Sequence, residues 1–336
     1  MTDRRRRKQL TADQYADGVL AGDTTVLARA ITLVESTAAA HVALAAEVME
    51  RVLPRSGGAV RVGITGAPGA GKSTLIECLG KRLTAAGRRV AVLAVDPSST
   101  VTRGSILGDK TRMTELARDE RAFIRPSPTA GTLGGVARKT RETILLCEAA
   151  GYDVVLVETV GVGQSEVATR ALVDFFLLLL QPGAGDELQG IKKGVVELAD
   201  ALVVTKADGD TRAQAELSRQ EYATAVHYLT PATEGWTVEV LTCSSISGRG
   251  VDELWQAVRR HREHGEQTGA LLRRRRSQAL EWMHAQIRQD LERVFYEDPR
   301  VAALLPELEQ RVHDGALSPS AAARAVLAAG SRDEAR

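Results

Sequence analysis

Cysteine, aromatic side chains, net charge and long apolar runs are all scarce in this 336-residue sequence, and each shortage narrows what the chain can be. The three cysteines, Cys78, Cys147 and Cys243, stand far apart with no Cys-x-x-Cys pair. That spacing argues against a disulfide framework and predicts reduced, buried thiols, as suits a cytoplasmic protein. Aromatics make up 4% of the chain and the formal net charge is +1, so no overall field points to nucleic acid or to an anionic membrane. The most apolar run, residues 175–180, is far shorter than the ~20 residues that span a bilayer and reads as a buried strand. The N-terminus is basic and then polar, without the apolar core of a secretory signal. Two basic runs, residues 4–8 and 273–276, read as a solvated tail and a solvated helix face.

What is plentiful is apolar residues, 44% of the chain, and they are organised in two ways. Residues 1–56 carry them at helical spacing, with Thr11 and Asp23 as N-caps and a second helix ending at Pro54. From Ala59 short β-branched runs alternate with helices: strands are predicted at 60–65, 90–95, 154–158, 175–180, 201–205 and 238–242. Near-continuous apolar strands of this kind are parallel strands covered on both faces, so residues 57–264 are predicted to form a doubly wound α/β domain. Beyond Gly265 the strands stop. Residues 265–336 are predicted as a helical arm, with Leu280, Met283, Ile287, Leu291 and Val294 along one face of its long first helix. Such an arm has little bulk for a core of its own and is expected to pack on the main domain or on a second subunit.

The chemistry is carried at the strand ends. Gly66-Ala67-Pro68-Gly69-Ala70-Gly71-Lys72-Ser73 follows a predicted strand and opens a predicted helix, the context a phosphate-binding P-loop requires. Its backbone N–H groups and the helix N-terminus favour phosphate, Lys72 should reach the β- and γ-oxygens, and the Ser73 hydroxyl should bind Mg²⁺; Thr74 extends the nucleotide-binding set. Asp96 ends the second strand, and Glu158-Thr159-Val160-Gly161 ends another, offering an acid for metal and a Gly161 N–H for the γ-phosphate. Lys72, Asp96, Glu158 and Gly161 are the candidate catalytic residues. Thr205-Lys206-Ala207-Asp208 is similar to the guanine-reading Asn-Lys-x-Asp motif. A carboxylate at Asp208 accepts from both the ring N–H and the exocyclic amine of guanine, and the Lys206 stem can cover the base. Thr at 205 in place of Asn predicts weaker bracing of this loop. Ser244, Ser245 and Ile246 fall where GTPases place a loop whose backbone meets the base. His261 and His264, three apart on a helix, have no third ligand nearby and read as a solvated helix end rather than a metal site.

Longer motifs are more specific. Residues 96–99 (Asp-Pro-Ser-Ser), 104–113, 158–166 and 181–186 resemble the MeaB/ArgK family, the G-protein chaperones of methylmalonyl-CoA mutase, and the likeness runs from Leu27 to the C-terminal helices. The resemblance implies a GTPase of the signal-recognition/partition class, homodimeric through its C-terminal arm, that gates adenosylcobalamin delivery to the mutase and protects it from inactivation. It further implies that Asp96, Asp109 and Glu158 join Ser73 around Mg²⁺, and that 103–113, 158–166 and 181–193 are switch loops. Val162 follows Gly161, with Gln164 beyond it, so no residue is obviously placed to orient the attacking water; Arg103, Arg112 and Arg170 lie in or near the switches. The alternatives are a P-loop kinase or ATPase, matching an old transport-kinase label in this family, and a metallochaperone GTPase. The base-reading loop speaks against the first, and the lack of a Cys or His cluster near the switches against the second.

Overall fold

The computed structural model describes residues 9–96, 113–128, 133–159, 165–183 and 193–331. Two compact units are present, 1–278 and 279–336.

The first unit opens with three helices, α1 (Ala12–Leu20), α2 (Thr24–Val34) and α3 (Ala39–Val52). Thr11 caps α1 in a capping box with Gln14, and the Asp23 carboxylate accepts from the N–H groups of Thr25 and Val26 at 2.8 and 3.0 Å to start α2. Among the described residues seven strands follow: β1 (Val60–Gly66), β2 (Val90–Asp96), β3 (Ala122–Pro128), β4 (Val154–Thr159), β5 (Phe175–Leu180), β6 (Ala201–Val204) and β7 (Glu239–Thr242). They form one parallel sheet in the order β3-β2-β4-β1-β5-β6-β7. Its helices are α4 (Lys72–Ala85), α5 (Leu133–Ala149), α6 (Ser165–Arg170), α7 (Lys193–Leu198), α8 (Arg212–Val226) and α9 (Val251–Thr268).

Alternate residues of each central strand enter different cores. Val62, Ile64, Val154, Leu156, Phe175 and Leu177 pack with Leu75, Ile76 and Leu79 of α4 and with Leu254 and Val258 of α9. Val155, Val157 and Phe176 pack on the opposite face with Ile144 and Cys147 of α5 and the N-terminal helices. Both faces are apolar, which is why the strands read as runs rather than as alternation. β3 has no counterpart among the strands expected from sequence; it is an edge strand, and its Pro126 and Pro128 are tolerated only where one side needs no ladder donors.

The edge of the sheet where strands begin holds a buried ion-pair system. Asp174 precedes β5 and Asp200 precedes β6. Arg61 of β1 is paired with Glu148 at 2.8 Å, Arg275 with Asp174 at 2.6 Å, and Arg170 with Asp200 at 2.6 Å. Arg274 also approaches Asp200, at 3.8 Å, and donates to Thr233. The run 273–276 is therefore not a solvated helix face: two of its arginines enter the folded interior. The same holds for His261, which is 4% exposed. Its ring meets Thr233 at 3.1 Å and Asp200 at 3.4 Å and stacks edge-on against Phe175 and Trp236. His264 faces the carbonyl of Glu234 instead, and among the described residues no group of His, Cys, Asp and Glu is arranged to hold a metal. The basic run at 4–8 lies outside the described residues.

Helix α10 (Ala270–Glu297) carries the chain into the second unit, where α11 (Pro299–His313) and α12 (Pro319–Gly330) form a hairpin. Contrary to the expectation from its small bulk, that hairpin has a core of its own, Val301, Leu308, Ala322 and Val326. No described helix is long and apolar enough to cross a membrane.

Candidate nucleotide site

At the carboxyl ends of β1, β4, β5 and β6 the candidate residues converge. β1 delivers Gly66, whose φ is +153° and where a Cβ would sit 2.6 Å from the Leu179 carbonyl oxygen; only glycine lets the loop turn here. The loop then passes through Ala67, Pro68, Gly69 and Ala70 to Gly71, the residue that caps α4. Lys72 opens that helix, and its ammonium folds over the loop, donating to the carbonyls of Gly66 at 2.7 Å and Ala67 at 3.2 Å. The next residue, Ser73, donates its hydroxyl to Glu158 Oε1 at 2.8 Å. Glu158 is buried and stands in register with Ile64 of β1 and Ala94 of β2, so three neighbouring strands fix its position beside the loop. Thr159 ties the same strand end to β1 through Thr65, 2.9 Å away. Asp96 is the last residue of β2, at this edge. Asp109, Gly161 and Gln164, with Arg103 and Arg112, lie outside the described residues, as does most of 181–193.

A second cluster lies at the end of β6. The Thr205 hydroxyl is 2.8 Å from the Ala70 carbonyl and 3.1 Å from that of Leu180, and it is buried. Thr thus braces the 205–208 loop directly against the P-loop, contrary to the weak bracing expected of a residue that is not Asn. Shorter than an amide, the hydroxyl reaches because the backbone itself approaches: Thr205 N–H donates to Leu180 O at 2.9 Å. Lys206 has φ +55°, a left-handed conformation uncommon for a residue with a side chain, and its ammonium donates to Gln181 Oε1 at 3.0 Å. Ser244 donates to the Asp208 carboxylate. The Ser244 hydroxyl also accepts from Ser247 N–H at 3.1 Å, closing the 244–248 turn, while Ile246 at its tip is 87% exposed. Arg249 donates to Ala207 O at 2.9 Å, joining this turn to the 205–208 loop. Next to it, burial first and then the nearby Asp208 carboxylate push the Cys243 thiol up to about 12, so it stays protonated and is no nucleophile.

Arg170 does not point toward this edge. Its guanidinium is engaged by Asp200 at the other end of the sheet. Sequence reasoning missed Arg249 and Arg82, which hold these loops in place; their partners are backbone carbonyls and an aspartate remote in sequence, so no local pattern marks them.

Comparison with known proteins shows the family. The profile of a family described as methylmalonyl-CoA mutase-associated GTPase MeaB matches residues 27–300. A Caulobacter vibrioides protein named as a GTPase is 57% identical over 320 residues, covering 95% of this chain and 98% of its own. The mouse methylmalonic aciduria type A homolog, a mitochondrial protein, is 47% identical over 333 residues, covering 96% and 80% of the two chains. Among solved structures, that of a LAO/AO transport system kinase superposes with a TM-score of 0.75 at 37% identity, covering 96% of this chain and 98% of that one.

Proposed function

This chain belongs to the MeaB family of methylmalonyl-CoA mutase-associated GTPases, and from that premise we propose that it binds and hydrolyses GTP as a chaperone of a B12-dependent mutase. The observation that carries the GTP reading is the bracing of a carboxylate-bearing loop onto the P-loop: Thr205 reaches Ala70 O at 2.8 Å while Ser244 orients Asp208. A phosphate loop alone serves any nucleotide. A carboxylate held at fixed distance from it selects a base that offers two adjacent donors, as guanine does and adenine does not.

In the proposed reaction Lys72 leaves the loop carbonyls for the β- and γ-phosphate oxygens, and the N–H groups of residues 69–74 enclose the β-phosphate. Ser73 and Glu158 offer hard oxygen donors, their oxygens 2.8 Å apart, a set that suits Mg²⁺; Asp96 and Asp109 would complete it. Bound there, Mg²⁺ would neutralise charge on the β- and γ-phosphates. Gly161 would donate its N–H to the γ-phosphate. Lys206 and Ile246 would cover the faces of the base, with Ser245 in the same turn. Since Arg170 is committed to Asp200, intrinsic hydrolysis is expected to be slow, and docking of the mutase to accelerate it. The proposed consequence is GTP-gated adenosylcobalamin loading and protection of the mutase, in the cytoplasm.

A homodimer is part of this proposal. Leu280, Met283, Ile287, Leu291 and Val294, all exposed, are spaced three or four residues apart along α10, the pattern of a coiled-coil seam. The test is single-turnover hydrolysis of GTP and ATP with increasing methylmalonyl-CoA mutase. GTP is expected to be strongly preferred and its turnover to rise with mutase. Equal use of ATP would overturn the base assignment, and a fast basal rate that the mutase leaves unchanged would overturn the chaperone switch.

A further inference from the structure

The loop that orients Asp208 is held from the phosphate side by a residue of the P-loop helix. Arg82 lies on α4, in the third turn after Lys72. One arm of its guanidinium, Nη2, donates to the carbonyl of Gly248 at 2.9 Å, and the other, Nη1, is paired with Asp252 in the first turn of α9. The pairing is favourable enough to raise the pKa of Arg82, chiefly through the hydrogen bond to Asp252. Gly248 is shaped for this contact. Its φ is +75°, and a Cβ there would lie 2.1 Å from Arg82 Nη2, so a side chain at 248 would push the guanidinium away.

From Gly248 the constraint runs inward. Its N–H donates to Ser244 O at 2.8 Å, Ser244 N–H donates to Arg249 O at 2.9 Å, and the Ser244 hydroxyl donates to Asp208. Arg249 closes the far side on Ala207 O. Arg82 is therefore the point at which the helix that begins at the phosphate loop grips the turn that aims the base-reading carboxylate.

We propose that Arg82 is a positioning residue for guanine selectivity: it sets the 244–248 turn relative to the P-loop, and so fixes where Asp208 meets the base. The inference rests on the GTP reading above. A guanidinium suits the task because its planar fork donates to a carbonyl and a carboxylate at once; an ammonium can satisfy one or the other without fixing the angle between them. The effect belongs to nucleotide recognition, since Arg82 lies away from Lys72, Ser73 and Glu158.

The experiment compares GTP with inosine triphosphate, which lacks the exocyclic amine that Asp208 would accept from. KM, kcat and melting temperature are measured for the full-length protein, Arg82→Ala, Arg82→Lys and Asp252→Asn. Arg82→Ala is expected to raise KM for GTP about three- to tenfold, the loss of its contacts with Gly248 and Asp252 at a partly exposed site. The GTP-to-inosine-triphosphate preference should fall in parallel, with kcat at saturation nearly kept. Arg82→Lys should recover only part of the preference. Asp252→Asn, which leaves the carbonyl contact in place, should shift it in the same direction by less. A lower melting temperature with unchanged preference in all three variants would make Arg82 a plain structural brace and overturn the proposal. Should Arg82→Ala fail to fold, Arg82→Lys and Asp252→Asn decide between the same two outcomes. A wild-type protein without preference for GTP over ATP would instead refute the GTP reading on which the inference stands.

Discussion

Two side chains of the site each do one job that a single substitution can isolate. Lys72 donates to backbone carbonyls of its own loop, Gly66 and Ala67. In Lys72→Ala those carbonyls remain on a loop shaped by its glycines, so folding should survive while GTP turnover is lost; the checks are a melting curve and a phosphate-release assay. Thr205 is the complementary case, its hydroxyl buried between Ala70 O and Leu180 O. Thr205→Ala removes one net hydrogen bond, about 1 kcal/mol, and should weaken nucleotide binding several-fold by equilibrium titration, with catalysis of bound GTP little changed. Asp208→Asn should do what neither of these does, shifting preference from GTP toward xanthosine triphosphate, because an amide can donate to the added carbonyl oxygen. Competition binding with the two nucleotides reads that directly.

Elements rather than single residues explain the buried charges. The segment from Asp174 to β6 places Asp174 and Asp200 at the amino edge of the sheet, and the first turns of α10 bring Arg274 and Arg275 onto them. Burial opposes ionisation of Asp200, but the hydrogen bond with His261 and the charges of Arg170 and Arg274 outweigh it and hold the carboxyl well below its usual range. At Asp174, too, burial is outweighed, by the hydrogen bond and charge of Arg275 and by Arg61. A carboxylate with a depressed folded pKa stabilises the fold fully above its unfolded value, 3.8, and loses that contribution as pH falls through the lower folded value. The melting temperature should therefore drop as pH is lowered below about 4, measured by circular dichroism. Asp200→Asn should flatten part of that acid limb. It should also cost about 3–5 kcal/mol at neutral pH, because Arg170 and Arg274 are left facing an uncharged amide. Here sequence reasoning failed for a physical reason. A run of arginines or a histidine on a helix looks solvated when read locally, and the aspartates that recruit Arg274, Arg275 and His261 are about 60 to 100 residues away. The strands, by contrast, were legible because burial on both faces leaves a run of apolar side chains that needs no partner to be recognised. β3 was not, since an edge strand with two prolines looks like a turn.

At the scale of the whole molecule, the apolar stripe of α10 is exposed in the single chain. The hairpin of α11 and α12 buries Val301, Leu308, Ala322 and Val326, yet Ile287, Leu291 and Val294 stay about half exposed or more. If a second copy covers them, Ile287→Glu with Leu291→Glu should convert a dimer into a monomer in sedimentation velocity. Because both positions are exposed in the single chain, the melting temperature of the nucleotide-binding unit should hardly move. The sequence by itself determined the class of fold, the phosphate loop and the place of the 205–208 loop after a strand, since each is a contiguous pattern whose chemistry depends on neighbours along the chain: glycines that free a turn, a lysine and serine at a helix start, an aspartate at a strand end. Only the tertiary structure decided that Thr205 braces the P-loop, that Arg82 grips the turn behind Asp208, and that His261 and Arg274 are interior groups around Asp200. Those contacts join segments brought together by the parallel crossovers of the sheet, and a hydrogen bond to a distant backbone carbonyl leaves no mark on the local sequence.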